Sequence, residues 1–137
     1  MAVVLDASFV MATLTDEDHT EYARSVMPDL FVSGMAAPAL ILWEVANIHH
    51  VKRRRGLLTD SEARTGLEVF LSFPIELDAE RAPLPDVLAR AHGAGLSAYD
   101  AAYLELALRL GAPLATLDRS LTKAGLDGGL VVISPFA

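Results

Sequence analysis

Val3-Val4-Leu5-Asp6-Ala7-Ser8 decides the fold of this 137-residue chain. An aliphatic, β-branched run meets an acid and then small, helix-compatible residues. It predicts a buried strand over Val3–Leu5 and a helix from about Ser8 to Leu14, opened by a serine cap. The same switch recurs near the other end, where Pro113–Thr116 reads as a strand, Asp118 closes it, and a short helix follows from Arg119 to Ala124. Met35–Ala37 and Leu130–Ile133 read as further strands, and Phe73–Leu77 as an edge strand because Pro74 lacks a ladder donor.

Helical segments fill the intervals. One spans about Thr20 to Leu30, with Pro28 as its end or a kink. A long one runs from Pro38 to Arg55, proline being welcome in a first turn. Thr59-Asp60-Ser61-Glu62 is a capping box that starts another, reaching about Leu71. Leu84–Ala94 and Ala98–Leu110 complete the set. Strands separated by helices pair in parallel and are covered on both faces, so the predicted fold is α/β: a three-layer α/β/α sandwich with a central parallel sheet of four to five strands, one domain over residues 1–137. The glycines of His92-Gly93-Ala94-Gly95 follow a helix rather than a strand, which excludes a phosphate-binding fingerprint.

With 53% hydrophobic and 21% charged residues, the composition is that of a globular domain. No apolar run approaches the roughly 18 residues of a membrane helix, and Asp6 interrupts the first segment before a signal-peptide core forms. The expectation is a soluble, cytoplasmic protein with no membrane partner. The absence of cysteine removes disulfides, zinc ribbons and thiol nucleophiles, leaving oxygen and nitrogen to carry any chemistry.

Four acids stand at positions that apolar residues would normally fill. Asp6 and Asp118 end strands, at the sheet edge where open α/β folds bind ligands; each also suits a helix cap. Glu44 falls at about 40° on a helical wheel started at Leu40, inside the arc of Ile41, Val45, Ile48 and Val51. It needs a partner there, either an arginine or a bound ligand. Asp100 points inward on its helix, though Ser97-Ala98-Tyr99-Asp100 also fits a capping box. Isolated buried carboxylates tend to take up a proton, so several together predict a cation. Oxygen-only ligands suit Mg²⁺ or Mn²⁺, ions that neutralise a phosphoryl group under attack, and phosphodiester hydrolysis is the predicted reaction class.

The remaining polar candidates are weaker. Ser8 and Thr116 each lie two residues from a site acid and suit hydrogen bonding to it, while a cap and a strand residue explain them equally well. The adjacent His49 and His50 point about 100° apart and cannot share one metal. Trp43 and the tyrosines read as core. The net charge of −7 opposes nucleic-acid binding, but setting the four acids aside leaves fourteen acidic against eleven basic residues, a balance of −3. Lys52-Arg53-Arg54-Arg55 supplies a basic patch for RNA, or a set of cations at a helix C-terminus.

Val4–Ser8, Pro38-Ala-Leu-Ile-Leu-Trp-Glu-Val-Ala-Asn47, Leu96-Ser-Ala-Tyr-Asp-Ala-Ala-Tyr103 and Leu114-Ala-Thr-Leu-Asp-Arg-Ser-Leu121 together resemble the PIN-domain family, especially its small VapC-like toxins. The resemblance implies a homodimeric, Mg²⁺- or Mn²⁺-dependent endoribonuclease acting on tRNA or rRNA and restrained by a small cognate antitoxin. It implies that Asp6, Glu44, Asp100 and Asp118 are the family's acidic positions and Thr116 its hydroxyl residue. Asp6 and Asp100 are then expected to hold the principal cation directly, with Glu44 and Asp118 completing the site. An aspartyl-nucleophile phosphatase is disfavoured, since Ser8 replaces the second aspartate such enzymes use. A non-catalytic PIN-like binding module remains the other alternative.

Overall fold

In the computed structural model, which describes residues 2–80 and 82–137, five strands form a single sheet. They are β1 (Val3–Leu5), β2 (Met35–Pro38), β3 (Ile75–Asp78), β4 (Leu114–Ala115) and β5 (Val132–Ile133). Every pairing is parallel, in the order β3-β2-β1-β4-β5, with Val3 opposite Met35, Val4 opposite Leu114 and Leu114 opposite Val132. Val3, Val4, Leu5, Leu114 and Ala115 are all buried, which is why these strands are continuously apolar instead of alternating.

Seven helices flank the sheet: α1 (Ala7–Leu14), α2 (Thr20–Ser33), α3 (Leu40–Arg54), α4 (Asp60–Leu71), α5 (Leu84–Ala94), α6 (Ala98–Leu110) and α7 (Arg119–Asp127). α1 to α4 pack on one another, as do α5, α6 and α7. Right-handed crossovers place these two groups on opposite faces of the sheet. Strand order reverses between β1 and β4, which opens a crevice at their carboxyl ends. Among the described residues no helix is long and apolar enough to cross a membrane.

Several local expectations are corrected. Asp6, not Ser8, caps α1, its Oδ1 accepting from the Phe9 amide at 3.1 Å. Asp6 already has the extended backbone a cap needs, and Ser8 lies inside the first turn. Pro28 does not end α2, which continues to Ser33; burial of Ala23, Met27 and Leu30 holds the helix across the missing amide. Pro38 closes β2 opposite Asp78 instead of opening α3. β1 pairs with β2 only as far as Ala36, so at Pro38 β3 alone lies alongside, an edge-like setting that tolerates proline. Trp43 and Tyr99 are exposed, whereas Tyr103 is core. The capping box at Thr59 and Glu62, the edge position of β3, and the limits of α5 and α6 are as predicted.

α3 and α4 meet through an unusually close contact. His49 is buried, its Nδ1 bonded to the Val45 carbonyl at 2.8 Å, so Nδ1 carries the proton and Nε2 has no partner among the described residues. Gly66 of α4 lies against that nitrogen, and a Cβ there would fall 2.5 Å from it. His50, one residue on, is exposed and bonded to Arg53.

Candidate active site

Asp6 sits at the centre of the crevice because β1 ends there and its side chain must serve the amides of the next helix. It is 4% exposed, and its carboxylate is held from two sides. The Ser8 hydroxyl donates to Oδ1 at 2.6 Å and the Thr116 hydroxyl to Oδ2 at 2.5 Å. Each hydroxyl also accepts a backbone amide of the β4–α7 loop: Ser8 from Leu117 at 3.1 Å and Thr116 from Asp118 at 3.0 Å. Two side chains therefore bolt the end of β1 to the end of β4. Despite these bonds, burial drives the Asp6 carboxyl up to about 6, with Asp100 adding repulsion.

Asp118 stands on the other side of the crevice as the cap of α7, Oδ2 accepting from the Leu121 amide at 2.7 Å. Glu44 projects from the second turn of α3, half-buried. Its partner is not an arginine: the Tyr103 hydroxyl donates to Oε1 at 2.5 Å. Tyr103 is 1% exposed beneath the acids, and burial, then the Glu44 bond, raise its pKa well above the phenolic range. Asp100, one turn before Tyr103 on α6, is half-buried. Its carboxyl is also raised, by burial first and then by the charges of Asp118 and Glu44. At Ser97 half of the expected capping box forms: Ser97 Oγ accepts from the Asp100 amide at 3.1 Å.

These repulsions place Asp100 within electrostatic reach of Asp6, Glu44 and Asp118. Among the described residues no three of them close on one point as a metal-ligand set does. The donor chemistry nevertheless fits a hard divalent cation. Three of the roughly four lone-pair positions of Asp6 are used, leaving one open, and Asp118 Oδ1 and Glu44 Oε2 carry no bond among the described residues. A cation among them would offset the burial and repulsion that now raise Asp6 and Asp100.

The basic cluster lies elsewhere. Lys52 is roughly 12 Å along α3 from Glu44, and it pairs with Glu17 at 3.1 Å. Arg53 pairs with Asp60 at 2.8 Å, while Arg54 and Arg55 are exposed. Two residues not singled out in the sequence adjoin the acids. Tyr103 could have been found from its i,i+3 spacing to Asp100. Arg119 follows Asp118 and lies over the Phe136 ring at 4.0 Å; no sequence pattern marked it.

The five-stranded parallel sheet with acids at its switch point accompanies a family match over most of the chain, which belongs to the PIN domain family: its model matches residues 3–126. Among known proteins, the chain is similar to Ribonuclease VapC3 of Pyrobaculum aerophilum, 36% identical over 128 residues, which span 90% of this chain and 94% of that protein. The crystal structure of PAE2754 from Pyrobaculum aerophilum matches with a TM-score of 0.71 at 28% identity, covering 97% of this chain and 92% of that one.

Proposed function

We propose that this protein is a Mg²⁺- or Mn²⁺-dependent endoribonuclease, the toxin of a toxin–antitoxin pair. The observation that carries the reading is the carboxylate set at the β1–β4 crevice, in a PIN-domain chain similar to a protein named as a ribonuclease. Asp6 and Asp100 would hold the cation directly, with Glu44 and Asp118 completing its shell. When bound, that ion supplies charge neutralisation at the scissile phosphate and acidifies water there.

The chain's own residues do the positioning. Ser8 and Thr116 fix the Asp6 carboxylate, and Tyr103 fixes Glu44. The α1 and α7 N-termini, capped by Asp6 and Asp118, bring the positive ends of two helices to the place where an anionic phosphate arrives. The exposed Arg54 and Arg55 extend an RNA track from the far end of α3. Leu84 and Leu88, one turn apart on α5 and both exposed, support self-association as a homodimer. A small cognate antitoxin is the expected restraining partner, and tRNA or rRNA the expected substrate.

Incubating the purified chain with RNA and Mn²⁺ is the test, with EDTA and Asp6→Asn as controls. Cleavage that needs the metal and is lost in the variant supports the reading. Cleavage that persists undiminished in folded Asp6→Asn and Asp100→Asn proteins would sink it.

A further inference from the structure

Trp43 is 80% exposed and Tyr99 65% exposed, although both are large aromatic residues in well-formed helices. Each directly precedes a site acid: Trp43 adjoins Glu44 and Tyr99 adjoins Asp100. With Glu44, Asn47 and Ile48 they line one shallow cavity of about 360 Å³ between the starts of α3 and α6. Aromatic pairs occur elsewhere in the described residues, but neither of these rings is in one. Their faces are available to a ligand.

The rest of the lining narrows the ligand. Asn47 follows Trp43 by four residues and so shares its side of α3, offering one amide that both donates and accepts. Glu44 adds acceptor oxygens. An apolar protein segment laid here would bury Glu44 Oε2 and the Asn47 amide without partners, which is costly. A nucleobase instead presents a flat π-face to the rings and polar edge groups to the amide and carboxylate. The chain's charge also favours stacking. At −7, with Lys52 and Arg53 in ion pairs and the exposed Arg54 and Arg55 at the far end of α3, the cations of the basic cluster stand away from the acids, and stacking supplies the contact there.

We infer that this cavity is a nucleobase subsite, in which an unpaired base of the substrate stacks on Trp43 and Tyr99 while Asn47 hydrogen-bonds its edge, setting the adjoining phosphate at the carboxylates. The inference rests on the ribonuclease reading and specifies the substrate: RNA with a base free to leave its stack. Paired RNA cannot present that face.

Trp43 is the sole tryptophan, so its fluorescence reports this cavity alone. The chain is titrated with a short unstructured RNA oligonucleotide in EDTA, where catalysis plays no part. Saturable quenching of Trp43 emission is expected. Trp43→Ala and Tyr99→Leu should each weaken oligonucleotide binding and raise KM roughly tenfold, with kcat changed far less, while Trp43→Phe retains most of the affinity. Unquenched emission at saturating oligonucleotide, or unchanged binding and KM in a folded Trp43→Ala protein, overturns the subsite. So does a Trp43 emission shift that follows protein concentration without RNA, which would place the ring between two copies. Quenching without Mn²⁺-dependent cleavage would remove the nuclease reading and leave the subsite; cleavage without quenching would do the reverse.

Discussion

The Tyr103 hydroxyl donates to Glu44 Oε1 at 2.5 Å, joining two helices through residues 59 apart in sequence. The bond gives a half-buried carboxylate a fixed rotamer beside the crevice. Tyr103→Phe keeps the ring that fills the core and removes only the donor. The expected loss of stability is about 1 kcal/mol, and RNA cleavage should slow about tenfold because Glu44 is no longer held. Thermal melts and initial rates with Mn²⁺ measure the two effects; an unaltered rate would separate Tyr103 from the site.

Asp6 and Asp118 are at once candidate ligands and helix caps, and asparagine separates the two duties because it caps about as well as aspartate. Asp118→Asn should melt close to the parent chain, while Asp118→Ala should lose about 1 kcal/mol. Neither should cleave RNA. Denaturant unfolding beside the cleavage assay gives both readings, and an active Asp118→Asn protein would reduce Asp118 to its cap.

The buried Asp6 carboxyl, raised from 3.8 to about 6, gives the metal-free chain an inverted acid response. Below pH 3.8 both the folded and unfolded chains keep this proton. Between 3.8 and about 6 the unfolded chain releases it while the folded chain retains it, so stability falls as pH rises. The total change from this group is on the order of 3 kcal/mol, and above about 6 it levels off. Urea unfolding in EDTA from pH 4 to 8 should show the decline, and Asp6→Asn should remove its share of it.

Gly66 leaves room for His49, whose ring cannot retreat because Nδ1 is tied to the Val45 carbonyl. Gly66→Ala should therefore cost about 1–3 kcal/mol, despite the better helix propensity of alanine. In a His49→Ala background the same substitution should cost much less or become favourable. A double-mutant cycle reads the coupling; additive losses would contradict the proposed clash.

The alternating layout was legible because β1 and β4 are continuous apolar runs ended by acids. The acids themselves were legible in two ways: Asp6 and Asp118 from the strand edge, Glu44 from its place on a helical wheel. Tyr103 was hidden because a buried tyrosine reads as packing until its hydroxyl partner, far away in sequence, is known. The exposure of Trp43 is legible from the same geometry. The same wheel that puts Glu44 at about 40° puts Trp43 near 300°, off the apolar arc, although tryptophan as a residue type favours burial. Pro38 misled for the opposite reason, as did Pro28 read as a helix end. Their local preferences are real, and burial around α2 and pairing of β2 with β3 override them.

The bond from Thr116 to Asp6 spans 110 positions, and Asp118 lies two residues beyond Thr116. A growing polypeptide therefore carries Asp6 and Glu44 long before it has anything to set opposite them. For the nuclease proposed above, the cutting edge cannot assemble until Thr116, 110 positions after Asp6, has been added to the newborn chain.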